Sequence, residues 1–182
     1  MYNNNICNRQ ININNTFREL WEQHIMWTRS FLISNILNLN DLQYVTARLL
    51  RNPTDFANVL SMYYGEDNAM KFQKLFEQHL IIAANLVNNA KKGDNAAAEA
   101  NERSWYQNAD EIATLLSSLN PYWSKQEWQK MFYNHLKMTK QEAVYILTGQ
   151  YQAGVNIYDH IQDDALEMAD YMSRGIIEQF KI

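Results

Sequence analysis

The chain has 182 residues, 47% of them apolar and 13% aromatic, which suits one domain with a sizeable core and excludes a disordered chain. Its net charge is −4 with both signs interspersed, so nothing in it attracts a phosphate backbone and a nucleic-acid partner is not expected. Five glycines and two prolines are too few for Rossmann units, phosphate loops or β-sandwiches, and the only cysteine, Cys7, can form neither an internal disulfide nor a structural zinc site.

Residues 1–15 are nearly half Asn, with no lysine and no apolar stretch of the signal-peptide kind. They read as a disordered arm ahead of a single domain over residues 16–182. From there helix signals dominate. Thr16 with Glu19, Ser124 with Glu127 and Thr139 with Glu142 have the spacing of capping boxes. Asn52-Pro53-Thr54-Asp55 reads as a cap followed by proline at the first helical position. Gly65, Gly93 and Gly175 read as C-terminal stops. These marks predict helices near 16–38, 41–51, 53–64, 67–92, 94–119, 125–138, 140–148 and 150–174, the short pieces being kinked continuations, for about six main helices. No stretch alternates as a strand does, and no run reaches the ~18 apolar residues of a membrane span. A reducing, cytoplasmic setting follows from the cysteine usage.

The chain also repeats itself. Leu20-Trp21-Glu22-Gln23-His24-Ile25 recurs as Leu75-Phe76-Glu77-Gln78-His79-Leu80 and, more weakly, as Met131-Phe132-Tyr133-Asn134-His135-Leu136. A second block beginning at Asn52 recurs at Asn108 and Asp164, which are 56 residues apart in each case. The expected fold is therefore all-α: an antiparallel bundle of three tandem helical hairpins of about 56 residues each, stacked because one hairpin cannot bury its own apolar face.

Each repeated histidine lies on an apolar stripe. His24 follows Leu20 and Trp21, His79 follows Leu75 and Phe76, and His135 follows Met131 and Phe132, so all three rings are expected to face inward. Asn52, Asn108 and Asp164 fall on the stripes of the partner helices, with Asp55, Glu111 and Glu167 nearby. Buried polar groups cost ~1–3 kcal/mol each when unpaired, so these should meet one another, a water or a ligand. Two readings follow. His24, His79 and His135 with Glu111, Asp164, Glu167 and a His160-x-x-x-Asp164 pair would suit Zn, Fe or Mn, with Arg29, Asn52 and Asn108 as further ligand contacts. Alternatively, a His–Asn/Asp hydrogen-bond network sets the register of three similar hairpins. Arg29 could meet an anion or a carboxylate in a cleft, or pair with Glu22. The di-iron Glu-x-x-His signature, His-Glu-x-x-His, Cys-x-x-Cys and Gly-x-Ser-x-Gly are all absent from the sequence.

Trp21-x-x-His24-x-x-Trp27-Thr28-Arg29, with Arg51-Asn52-Pro53-x-Asp55-Phe56-Ala57, Trp105-Tyr106-x-Asn108-Ala109-Asp110-Glu111-Ile112-Ala113 and Asn120-Pro121-Tyr122-Trp123-Ser124, resembles an uncharacterised bacterial helical-bundle family over most of residues 18–180. Some relatives carry the label acetylglutamate kinase, which this glycine-poor helical chain does not support. The inward histidines also resemble, more distantly, haemerythrin-like and ferritin-like bundles. The resemblance implies a helical bundle and no catalytic residues. Two function classes therefore compete: a bundle that binds a metal ion or small ligand through inward His and carboxylate groups, and a non-catalytic interaction bundle with a buried polar network. The partner classes left are a metal, a small ligand or a second copy of the chain.

Overall fold

The computed structural model describes residues 2–182, with side chains from residue 8 onward. Among the described residues there are six helices and no strand: α1 (Tyr2–Ile36), α2 (Leu42–Tyr64), α3 (Glu66–Lys92), α4 (Asn95–Leu119), α5 (Lys125–Leu147) and α6 (Tyr151–Phe180). They form the three expected hairpins, α1–α2, α3–α4 and α5–α6. Each helix packs on the next, α6 closes the ring by packing on α1, and α1 also touches α3 and α5. Tight turns reverse the chain at every step, so α1, α3 and α5 run parallel to one another. That places their histidines at one depth along the bundle.

The turns follow local chemistry. At Gly93 the backbone takes φ 78°, a left-handed conformation that a side chain would strain, and its N–H closes α3 on Ala90 and Asn89 carbonyls. Asp94 then caps α4 by accepting from Ala97 N–H. Ser124 caps α5 as its spacing predicts, accepting from Glu127 N–H.

Other local expectations are corrected. Thr16 and Thr139 lie inside α1 and α5 and cap nothing, and Thr16 Oγ1 donates back to Asn12 O. Asn52-Pro53 lies within α2, and both residues are buried against α1 and the core. Gly175 is no stop, because α6 continues to Phe180. Its role is steric: a Cβ there would lie 2.0 Å from Trp123 Nε1, so only glycine lets the buried indole approach α6, where its N–H donates to Tyr171 O (3.3 Å).

The Asn-rich start is corrected in part as well. Residues 8–15 lie within α1, which starts at Tyr2, and Ile13 is buried in the core. Asn14 donates to Asp170 Oδ1 (2.8 Å) and Ser173 Oγ (2.9 Å), and Gln10 donates to Ile182 O (2.8 Å). Asparagine disfavours helix in isolation, yet here its amides pair with α6 and tertiary contacts win. Met1 and the Cys7 side chain fall outside the described residues. No described helix is long and apolar enough to cross a membrane.

The core has two parts. The larger cluster is built on Phe17, Trp21, Phe56, Phe72, Phe76, Trp128 and the small and branched residues of α4 and α6. The smaller one, toward the α1–α2 turn, holds Phe31, Leu32, Val45, Leu49, Leu80, Val87 and Ile146. The histidines lie between the two.

Candidate functional site

His24, His79 and His135 are all buried. The rings of His24 and His135 lie 5.6 Å apart between centroids, and Phe76 and Phe132 fill the space toward His79. The repeat is visible in the hydrogen bonds. Asn52 Nδ2 donates to Leu20 O (3.1 Å), and Asn108 Nδ2 donates to Leu75 O (3.0 Å). Each of those carbonyls belongs to the residue four before the histidine of its hairpin. His79 Nδ1–H completes the second unit by donating to Asn108 Oδ1 at 2.8 Å. In the first unit the equivalent atoms, His24 Nδ1 and Asn52 Oδ1, are buried without a hydrogen bond. In the third, an acid replaces the amide. His135 Nδ1 lies 3.8 Å from Asp164 Oδ2, too far for a hydrogen bond, while Asp164 Oδ1 accepts from Asn134 Nδ2 at 2.7 Å.

Burial sets the charge of this layer. Desolvation holds His24 well below the usual imidazole range, and the neighbouring His135 and His79 push it further down. Burial likewise lowers His79 to about 3, against the support of Asn108, and His135 to about 4. All three rings are neutral at pH 7. Burial pushes the Asp164 carboxyl up to about 6, partly opposed by the Asn134 amide.

The metal set read from the sequence does not assemble. Glu111, His160 and Glu167 are exposed, and Glu111 meets only Gln107 Nε2 (3.4 Å). The period of 3.6 brings Glu111 and Glu167 round to the outer face, because they lie three residues beyond Asn108 and Asp164 rather than four. His160 points to solvent while Asp164 is buried, so the two do not act as a pair. Among the described residues no three His, Cys, Asp or Glu side chains are grouped to hold one ion.

Arg29 does meet a carboxylate, but it is Glu142 of α5 rather than Glu22. Arg29 Nη1 donates to Glu142 Oε1 and to Gly154 O (3.1 Å), and its guanidinium lies 5.0 Å from the Tyr158 ring centre. Glu142 is only 1% exposed, and burial raises its carboxyl against the pull of Arg29. This cluster ties α1, α5 and α6 together through Arg29 Nη1.

One helical turn beyond the histidines the packing opens. Positions 28, 83 and 139, each four past its histidine, carry Thr, Ala and Thr. They line the inner end of a cavity of about 310 Å³. Leu32, Leu49, Leu80, Val87, Ala143 and Leu147 form its walls, and it extends between α4 and α5 to a mouth at Glu99, Glu102 and Lys140. There Lys140 Nζ is held by both Glu102 oxygens at 2.6–2.7 Å. Alanines at 83, 84, 90, 98 and 143 make the space, since leucine at those positions would close it. Thr28 Oγ1, Thr139 Oγ1 and Trp105 Nε1, all on lining residues, are buried without a protein partner.

Sequence reasoning placed the histidines but missed the cavity. The signal was present: small residues at one fixed offset from each histidine, on stripes that are otherwise large and apolar. No protein-family model matches the chain, and no curated protein or solved structure matches it either. The site therefore rests on its own geometry, that of a six-helix bundle with a polar layer beneath an apolar chamber.

Proposed function

We propose that this protein is a small-molecule-binding bundle whose ligand occupies the chamber above the histidine layer. The observation that carries the reading is the 310 Å³ cavity itself, interrupting an otherwise close-packed core. Small-molecule sites run from ~300 to 1,000 Å³, with apolar walls and a few polar groups, and this chamber has that character at the lower end of the range. Its volume is about twice the ~150 Å³ of a cavity that takes benzene, so it suits a molecule of about twelve heavy atoms. A metal ion is the weaker reading, because two of the three carboxylates expected beside the rings, Glu111 and Glu167, lie on the outside and only Asp164 remains near His135. The Asn52 and Asn108 amides serve the ligand site indirectly, by fixing α2 on α1 and α4 on α3 within their hairpins.

The test is isothermal titration of the purified chain with tetralin, a ten-carbon hydrocarbon of the right size. The reading expects one saturable site per chain. Ala143→Leu, which fills the chamber from α5, should abolish binding while keeping or raising the melting temperature. Absence of saturable binding to the wild-type chain would refute the proposal.

A further inference from the structure

The chamber's polar end is one-sided. Its walls are hydrocarbon, and the polar atoms buried without a protein partner among its lining residues are two hydroxyls and one indole N–H. The indole can only donate, and each threonine hydroxyl carries a proton to offer. Thr28 and Thr139 stand at the same level on the parallel helices α1 and α5. Trp105 comes from α4, which lines the opposite side of the chamber. Helical threonines commonly return their hydroxyl proton to the carbonyl four residues back, as Thr16, Thr46 and Thr114 do in this chain. Thr28 and Thr139 do not, which leaves their protons available.

No cation accompanies these donors. His24 and His135 lie one turn below Thr28 and Thr139 and are held neutral by burial. Arg29 is paired with Glu142 and Gly154 O, and neither Arg29 nor Glu142 lines the chamber. Lys140 is at the mouth, paired with Glu102. A buried carboxylate or phosphate at the inner end would remain uncompensated, and that cost exceeds what two or three neutral donors return.

Resting on the ligand-binding reading above, we infer that the chamber selects an uncharged, largely hydrocarbon molecule bearing one hydrogen-bond acceptor, such as a ketone or ester, whose oxygen is held at the inner end by Thr28, Thr139 and Trp105. The hydrocarbon part fills the alanine-lined space toward the mouth. The acidic mouth, with Glu99 and Glu102 around one paired lysine, further disfavours entry by anions.

The experiment compares three probes of one shape by titration calorimetry at pH 7.5: tetralin, 1-tetralone and 1-naphthoate. One good hydrogen bond to a buried donor corresponds to about a tenfold gain in affinity. 1-Tetralone should therefore bind at least about tenfold more tightly than tetralin, and 1-naphthoate more weakly than either. The double variant Thr28→Val, Thr139→Val removes the hydroxyls and preserves side-chain shape. It should bring 1-tetralone down toward tetralin, while tetralin itself should bind no more weakly than to the wild type. Because those hydroxyls have no protein partner to lose, the variant should melt no lower than the wild type, which separates a binding effect from a folding one. Equal affinity for tetralin and 1-tetralone, or tighter binding of 1-naphthoate, would overturn the acceptor assignment while leaving the chamber a binding site. Failure of all three to bind would overturn both.

Discussion

Acidification should unfold this protein through its buried imidazoles. Unfolded, each ring takes up a proton near the ordinary imidazole value of 6.5; folded, burial holds His79 to about 3, His135 to about 4 and His24 well below 6.5. Between those limits the unfolded chain binds more protons than the folded one. Stability is therefore intact above about pH 6.5 and falls as pH drops toward 4. At pH 5, ~1.5 units below the unfolded value, the loss at ~1.4 kcal/mol per unit is about 2 kcal/mol each for His79 and His135, ~4 kcal/mol together, and His24 adds to it in the same direction. Asp164, raised to about 6, and Glu142, also raised, act in the opposite sense, because the folded state protonates them more readily than the unfolded chain does. Asp164 borders a solvent-filled groove lined by Lys130, Asn134 and Glu167, so its return is screened. The net loss is on the order of 4 kcal/mol, a large share of the ~5–15 kcal/mol that holds a domain together. Urea unfolding followed by far-UV circular dichroism at pH 7.5, 6 and 5 reads this directly. With a slope of ~2 kcal/mol per molar, the midpoint should fall by about 2 M across that range. A midpoint that is constant or higher at pH 5 would show that the rings are not buried neutral, and the reasoning about the layer would fail with it.

Other perturbations isolate single features. Gly175→Ala should destabilise by about 2–3 kcal/mol in thermal or urea unfolding, because its Cβ would collide with Trp123 at 2.0 Å; a neutral effect would place the indole elsewhere. Arg29→Met should cost roughly 3 kcal/mol by leaving Glu142 buried and unpaired, and Arg29→Met with Glu142→Leu should recover most of it. If the double variant is as unstable as the single, the pair is not what the site needs. Asn108→Leu should cost about 1–3 kcal/mol by stranding the buried His79 Nδ1, whereas Glu111→Gln on the outer face of the same helix should change stability by less than ~0.5 kcal/mol.

The architecture was legible because its signals are repeated and periodic. Three copies of one histidine block and one partner block at a spacing of about 56 residues require three hairpins, and the Leu20–Asn52 and Leu75–Asn108 hydrogen bonds show the repeat at atomic level. What failed were inferences from isolated residues. Thr139-x-x-Glu142 has the spacing of a capping box, but both residues face inward, so burial and the Arg29 ion pair override the local propensity. Gly175 resembles a stop until the bulk of Trp123, 52 residues earlier, is considered. The Asn-rich start resembles an arm until the C-terminal Ile182 and α6 supply partners for Gln10 and Asn14. The expected ligand set failed for a geometric reason. A position three residues from a buried one can fall on either edge of the stripe, and for Glu111 and Glu167 it falls outside. The chamber was the hardest to see, since a cavity is made by side chains that are missing from several helices at once.

The most direct test of the central claim is a methyl-resolved NMR titration with 1-tetralone. Binding in the chamber predicts saturable shifts, with one common dissociation constant, at the methyls of Thr28, Leu49, Leu80, Val87 and Ala143. Ile112, Leu116 and Ile176, in the larger core cluster, should stay in place. Shifts that fail to saturate, or that scatter over the outer helix faces and spare the methyls of those five residues, would contradict a ligand-binding chamber in this bundle.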